Sequence, residues 1–107
     1  MDFSSIKKEI KTLSFEMLRI DSDNFFEAVI IKQEIGKLNL QLKSFLGEPV
    51  YPSENILADE VQKTVDTLGG IMPGQTLYYK DLGDSGIFAM LWPWNDGERI
   101  TVKITQR

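Results

Sequence analysis

The first part of the chain repeats apolar residues at the spacing of an amphipathic helix, three or four residues apart. One series consists of Phe3, Ile6, Ile10, Leu13, Met17 and Ile20. After the polar run "DSDN" a second series follows, made of Ala28, Ile31, Ile35, Leu38, Leu42 and Phe45. Two such series joined by a short polar turn predict an antiparallel helical hairpin, with helices over about 4–20 and 24–46.

The same region also supports a different prediction. The run "FFEAVII" is aromatic and β-branched, and "KLNLQLK" alternates between apolar and polar residues as a half-buried strand does. Gly36 weakens the helical interpretation, because a glycine inside a helix costs about 1 kcal/mol relative to alanine. The alternative is a β-hairpin at 15–31, followed by two helices and the strands described below.

A third helix is predicted over about 54–68. Its apolar stripe consists of Leu57, Val61, Val65 and Leu68. Gly69 and Gly70 follow directly, and glycine at this place ends a helix because it accepts a positive φ.

The remainder of the chain predicts three β-strands, over about 75–80, 86–92 and 99–105. The connections "DLGDSG" and "PWNDGE" are short and rich in turn residues, so an antiparallel meander is favoured. The middle strand is apolar at nearly every position, as expected for a strand covered on both sides. We therefore predict one α+β domain that spans residues 1–107.

Alternation assigns the side chains of these strands to two faces of the sheet. Ile100, Val102 and Ile104 lie on one face, which we expect the third helix to cover. The opposite face is predicted to hold Phe88, Met90 and Trp92, together with Tyr78 or Tyr79.

Composition restricts the chemistry that is possible. The 107 residues include no cysteine and no histidine, so disulfides, thiolate zinc sites and Ser-His or Cys-His hydrolases are excluded. We expect no catalytic residues, no cofactor and no metal site. No apolar run is long enough to cross a membrane, and "MDFSSIKKEIK" has charged residues where a signal peptide would carry an apolar core, so we expect a cytoplasmic protein.

The net charge of the chain restricts the classes of partner that it can bind. The formal net charge is -4, and basic residues are not clustered beyond "KKEIK". Because a nucleic-acid binder neutralises phosphates with clustered lysine and arginine, neither nucleic acid nor an anionic membrane is expected as a partner. A basic protein partner, or self-association, suits the chain better.

Two acidic runs were considered as cation sites or as parts of a catalytic site. They are "DSDN" at 21–24 and "DLGDSG" at 81–86, and neither has the spacing of a calcium loop. Ser85 beside Lys80 is a weak nucleophile candidate, because a solvated lysine stays protonated. Asp, Asn, Ser and Gly are also the ordinary residues of turns, and we interpret both runs in that way.

The remaining candidates for a contact surface are aromatic residues and a methionine of the predicted sheet. Tyrosine, tryptophan and methionine are enriched in protein interfaces. The candidate surface consists of Tyr78, Phe88, Met90, Trp92 and Trp94. It predicts a non-enzymatic protein-interaction or regulatory module; the alternative is a small-molecule-binding domain with an aromatic pocket on one sheet face.

Overall fold

A computed structural model describes residues 3–51 and 58–107 of the chain. The described part contains three α-helices, a short 3-10 turn at Lys32–Glu34 and five β-strands. In chain order these helices and strands are α1 (Phe3–Ile10), β1 (Phe15–Asp21), β2 (Phe25–Ile31), α2 (Ile35–Leu46), α3 (Asp59–Thr67), β3 (Thr76–Asp81), β4 (Gly86–Pro93) and β5 (Arg99–Gln106). Within the described ranges, no helix is both long and apolar enough to cross a membrane.

The strands form one antiparallel sheet in the order β1-β2-β5-β4-β3. The predicted meander is present as β3, β4 and β5, with bounds within one or two residues of the prediction. The meander continues into a hairpin of β1 and β2, because β5 pairs with β2 along Phe25–Ile31. The α+β class is thereby confirmed, and the sheet has five strands rather than three.

The helical hairpin predicted over 4–20 and 24–46 is wrong, and the alternative β-hairpin at 15–31 is present. The helix α1 ends at Ile10, and Ser14 donates its backbone N–H to Oε1 of Glu34 at 3.1 Å as the chain turns into β1. Met17 and Ile20, which belong to the first apolar series, are exposed on β1. Their helical spacing therefore corresponds to no helix.

In place of the second predicted helix, the structure has a strand up to Ile31 and a helix from Ile35. Residues 25–31 form β2, as their aromatic and β-branched side chains favour, and α2 begins only at Ile35. The alternating run at 37–43 is helical, because Leu38 and Leu42 both point into the core from α2. Burial of this stripe outweighs the strand-like alternation.

The third predicted helix is present as α3, and the predicted start at 54–57 lies outside the described residues. The helix ends where predicted. Gly70 donates its backbone N–H to the carbonyl of Val65 at 2.9 Å, and Gly69 and Gly70 both have positive φ, +107° and +81°. This geometry satisfies carbonyls at the end of the helix.

Helices cover both faces of the sheet, and their assignment is the reverse of the prediction. The face with Ile100, Val102 and Ile104 packs against α1 and α2, through side chains that include Phe3, Ile6, Ile10, Leu38 and Leu42. We call it the α1/α2 face. The helix α3 packs on the opposite face, the α3 face, where Val61, Val65 and Leu68 contact Leu77, Phe88 and Met90. Neither periodicity nor strand alternation encodes which helix covers which face.

On the α3 face, the helix covers mainly β3 and β4. Its apolar contacts reach β2 only at Phe25. The parts of β1, β2 and β5 beyond that point are covered by no described helix.

Candidate functional site

The turn between β4 and β5 is held by its own hydrogen bonds. The backbone N–H of Trp94 donates to the carbonyl of Arg99 at 2.8 Å, and Oδ1 of Asp96 accepts from the backbone N–H groups of Glu98 and Arg99 at 2.8 and 3.0 Å. Gly97 has φ +71°, which glycine adopts without strain. The backbone of Trp94 is therefore fixed relative to β5.

The side chain of Trp94 turns back onto the α3 face instead of pointing into solvent. Its Nε1 donates a hydrogen bond to Oγ1 of the buried Thr101 at 2.8 Å. The guanidinium carbons of Arg19 and Arg99 lie 5.8 and 5.7 Å from the centre of the ring. These distances are within the range of cation–π attraction. The indole is half-buried and contacts one arginine from β1 and one from β5.

Carboxylates hold both arginines in place. Arg99 donates to Asp96 at 2.7 Å and to Glu16 at 2.9 Å, and Arg19 donates to Glu27 at 3.2 Å. The hydrogen bonds from Arg99 to Asp96 and Glu16 raise the pKa of the guanidinium. The pKa of Asp96 is lowered, first by the backbone N–H of Glu98 and then by Arg99. These hydrogen bonds fix the positions of the cations beside Trp94.

Lys103 marks the border between the part of the face that α3 covers and the part that it leaves open. Its Nζ lies 3.7 Å from the ring centre of Trp92 and donates to the backbone carbonyl of Leu68, at the end of α3, at 3.3 Å. A carboxylate oxygen of Glu27 is 3.9 Å away. Burial lowers the pKa of Lys103, and Glu27 opposes that effect.

Charged side chains of both signs therefore run across the open part of the sheet. We call this set the charged row: Lys103, Glu27, Arg19, Arg99, Glu16 and Asp96. It contains three cations and three carboxylates, so its formal charge is zero, whereas the chain carries -4.

Apolar side chains lie exposed beside the charged row. Met17 is 49% exposed, Ile20 41% and Ile31 37%. Register places Met17 opposite Val29, on the α3 face, and Ile31 opposite Arg99. We define the open face by six residues: Met17, Arg19, Ile20, Ile31, Trp94 and Arg99.

The structure separates the five aromatic and methionine residues that were predicted to share one surface. Tyr78 is buried on the α1/α2 face, where its hydroxyl donates to Asn39 of α2 at 2.8 Å. Phe88 and Met90 are buried beneath α3. Trp92 is half-buried, with its ring against Gly69. Of the five, only Trp94 belongs to the open face.

The arginines and the exposed apolar residues of this site are not among the residues predicted from the sequence. Met17 and Arg19 are two apart, and β1 places both on the α3 face. That placement follows from the β-hairpin alternative and is lost in the helical one. Only the β-hairpin alternative could have predicted that Met17 and Arg19 share a face of the sheet.

A cavity of about 220 Å³ lies between α3 and the turn that joins β3 to β4. One wall is aromatic: the ring centres of Tyr79 and Phe88 are 4.8 Å apart, and their planes meet at 44°. The carboxylates that line the cavity belong to Glu60, Asp81 and Asp84, and, among the described residues, Arg107 is the single cationic residue lining it. Burial raises the pKa of Tyr79, and the charges of Asp81 and Glu60 raise it further.

The two acidic runs have the hydrogen bonding of turns. Oδ1 of Asp81 accepts from the backbone N–H of Gly83 at 2.8 Å, and Oγ of Ser22 accepts from that of Phe25 at 3.1 Å. Oγ of Ser85 accepts from Nε2 of Gln106 at 3.0 Å. In the described ranges, no acidic side chains form a group of three or more that could hold a metal ion.

No family model, no curated protein and no solved structure matches this chain. The functional proposals below rest on the geometry of the open face and of the cavity.

Proposed function

We propose that this protein is a non-enzymatic protein-interaction module whose contact surface is the open face. One observation carries the proposal: Trp94 lies between Arg19 and Arg99, beside three exposed apolar side chains. Tryptophan and arginine are the residue types that most often dominate the binding energy of protein interfaces. The arrangement supports a contact surface rather than a reaction site.

The open face is also pre-organised for binding. The hydrogen bond from Trp94 to Thr101, and the ion pairs of Arg19 and Arg99, fix large side chains before any partner arrives. Ordering a long flexible side chain on binding costs about 0.5–1.5 kcal/mol. Groups that are already fixed avoid much of that cost.

Composition supports the remaining parts of the proposal. A chain without histidine and cysteine has few groups that can act as a base or nucleophile, which favours binding over catalysis. The net charge of -4 disfavours nucleic acid and anionic membranes as partners.

Affinity capture from the native host, with matched variants, tests this proposal. Met17→Lys places a charge on the open face, and Met72→Lys makes the same change at a methionine that is 63% exposed in the loop before β3. We expect a stoichiometric partner that is captured by the wild type and by Met72→Lys and is lost with Met17→Lys. A partner retained equally by both variants contradicts the proposal, as does the absence of any partner, another copy of the chain included.

The cavity favours a second candidate function, the binding of a small organic cation. Its aromatic wall can contact a cation through the ring faces, and its lining carries three carboxylates against one arginine. Within the described residues, none of these three carboxylates forms an ion pair. A linear diamine suits this charge and shape. Phe88, which the sequence places on the candidate aromatic face, also lines this cavity, and α3 packs over Met90.

Titration with putrescine, followed by NMR, tests the second candidate. We expect saturable shifts at Tyr79 and Gly86, weakened by Asp84→Asn and unaffected by Asp23→Asn in the turn between β1 and β2. Butanediol, which has the same length without charge, should cause no shifts. Equal responses to the diamine and the diol would contradict a cation site.

A further inference from the structure

We infer that the occupant of the open face is a second copy of this chain, packed face to face about a two-fold axis. The inference rests on the proposed function, because it identifies the partner of the same surface. The charge of the face and the form of the edge strand support this occupant, and the size of the patch determines how tightly it binds.

Charge favours self-association at this place. Each copy carries -4, so two copies repel each other over most of their surfaces. The charged row adds no net charge, because its three cations and three carboxylates balance. The open face and the charged row together therefore carry no net charge, and two copies that approach through them meet with less repulsion than a net-acidic surface would cause. A strongly basic or acidic partner would be better matched by a face of opposite net charge.

The presence of both signs on this surface also allows it to be self-complementary. An interface on a two-fold axis brings the same patch of both subunits together, so each charge must find its opposite within that patch. Arg19 lies between Glu27 and Trp94, and Arg99 lies between Trp94 and Glu16. Both signs are available on either side of the indole, so carboxylates of one copy can approach arginines of the other.

The edge strand explains why the copies should meet through faces rather than edges. The outer edge of β1 pairs with no described strand, and such an edge can template pairing with another chain. The pairing of β1 with β2 has irregularities between Phe15 and Met17 and between Leu18 and Ile20. Bulges of this kind interrupt a regular ladder, which disfavours continuation of the sheet into a second copy.

The size of the patch predicts a weak dimer. Three strands about 4.8 Å apart, with about seven residues of 3.3 Å each, outline roughly 14 by 23 Å. This is well below the roughly 800 Å² per partner that a standard stable interface buries. We therefore expect a dissociation constant of the order of 100 µM, so that dimers form only at high local concentration.

Sedimentation velocity at about 10 µM and about 1 mM tests the inference, because one concentration is below the expected dissociation constant and the other above it. We expect monomer at the lower concentration and a substantial dimer fraction at the higher one. Met17→Lys should weaken the dimer at least about tenfold, because it places a charge within the apolar contact. Met72→Lys should leave it unchanged. Near-ultraviolet circular dichroism verifies that both variants keep the fold. If Met17→Lys unfolds the protein, Ile20→Lys replaces it in the same test.

Concentration-dependent NMR shifts locate the contact on the same samples. We expect them at 17–31 and 94–103, and not along α2. Wild-type protein that stays monomeric at both concentrations overturns the inference, and so does a dimer that Met17→Lys leaves intact. A monomeric protein that still captures a different partner through the open face would overturn the dimer and retain the proposed function.

Discussion

Trp94 and Thr101 join the turn after β4 to the centre of the sheet, through a 2.8 Å hydrogen bond from the indole Nε1 to the threonine Oγ1. The indole is thus held to a strand seven residues further along the chain, and it carries Arg19 and Arg99 beside it. The tryptophans on either side of Pro93 have different roles as a result. Trp92 packs beneath Lys103 beside α3, and Trp94 forms the centre of the open face.

Replacing Thr101 by valine should release the indole of Trp94. The change keeps the shape of a buried side chain and removes the hydrogen-bond acceptor, so we expect a loss of about 1 kcal/mol in the free energy of unfolding in urea. The indole N–H resonance of Trp94 should move. That of Trp92 should not, because its buried N–H has no partner among the described residues.

A double-mutant cycle isolates this hydrogen bond. In a Trp94→Phe background, where the donor is absent, Thr101→Val should cost much less than in the wild type. Equal costs in both backgrounds would show that the threonine hydroxyl contributes independently of Trp94.

Two neighbouring glycines at the end of α3 should tolerate alanine differently. A Cβ on Gly69 would lie 2.6 Å from Cη2 of Trp92, whereas a Cβ on Gly70 meets no atom within 4 Å. Gly70→Ala should therefore cost only the strain of positive φ, about 1–2 kcal/mol. Gly69→Ala should cost about 1–3 kcal/mol more, because Trp92 must also shift. Urea unfolding of both variants measures the difference, and equal losses would contradict the close approach.

Gly36→Ala should stabilise the protein. Gly36 lies in the first turn of α2, its φ is not positive, and a Cβ there meets no atom within 4 Å. Alanine reduces the conformational entropy of the unfolded chain, so we expect a gain of about 0.5–1 kcal/mol in thermal or urea unfolding. A loss of stability would mean that the start of α2 differs from the structure described.

The ion pairs of Asp21 predict a pH dependence. Lys11, which directly follows α1, and Lys7 of α1 donate hydrogen bonds to this carboxylate and hold its pKa below the ordinary value of 3.8. Its contribution to stability is therefore present above pH 3.8 and is lost as the pH falls through the lower folded pKa. We expect Asp21→Asn to be less stable than the wild type at neutral pH, and to match it once Asp21 is protonated.

Urea midpoints measured across that range test the prediction, with Asp23→Asn as the control in the same turn. The difference between wild type and Asp21→Asn should also shrink in high salt, since the carboxylate is solvent-accessible and its ion pairs are screened. A difference that persists at low pH would point to packing rather than charge.

Sequence patterns predicted the α+β class, α3 and the three strands of the meander, because each of these has an uninterrupted apolar period and a clear turn signal. The residues of β1 misled the helical interpretation. Met17 and Ile20 continue the helical spacing of α1 by coincidence and remain exposed. Helical and strand-like signals overlapped between 15 and 46, and only the tertiary pairing of β2 with β5 resolves them.

The candidate site was harder to predict than the fold. Trp94 was identified from its position after Pro93, but Arg19 lies 75 residues before it in the chain and reaches it only through the β1-β2-β5 pairing. Tyr78, Phe88 and Met90 have the residue types of interfaces and serve as core. Burial of these three depended on the assignment of helices to faces, which local patterns do not contain.

The central place of β5 also determines the order in which the molecule can fold. The hairpins β1–β2 and β3–β4 are each local in the chain, and in the sheet they are joined only through β5. On a ribosome, both hairpins leave the exit tunnel before the strand that unites them. The edges of β2 and β4 that β5 will occupy stay unpaired until β5 has emerged. Closure of the sheet is therefore a late step, and the preceding interval is the one most open to misassociation.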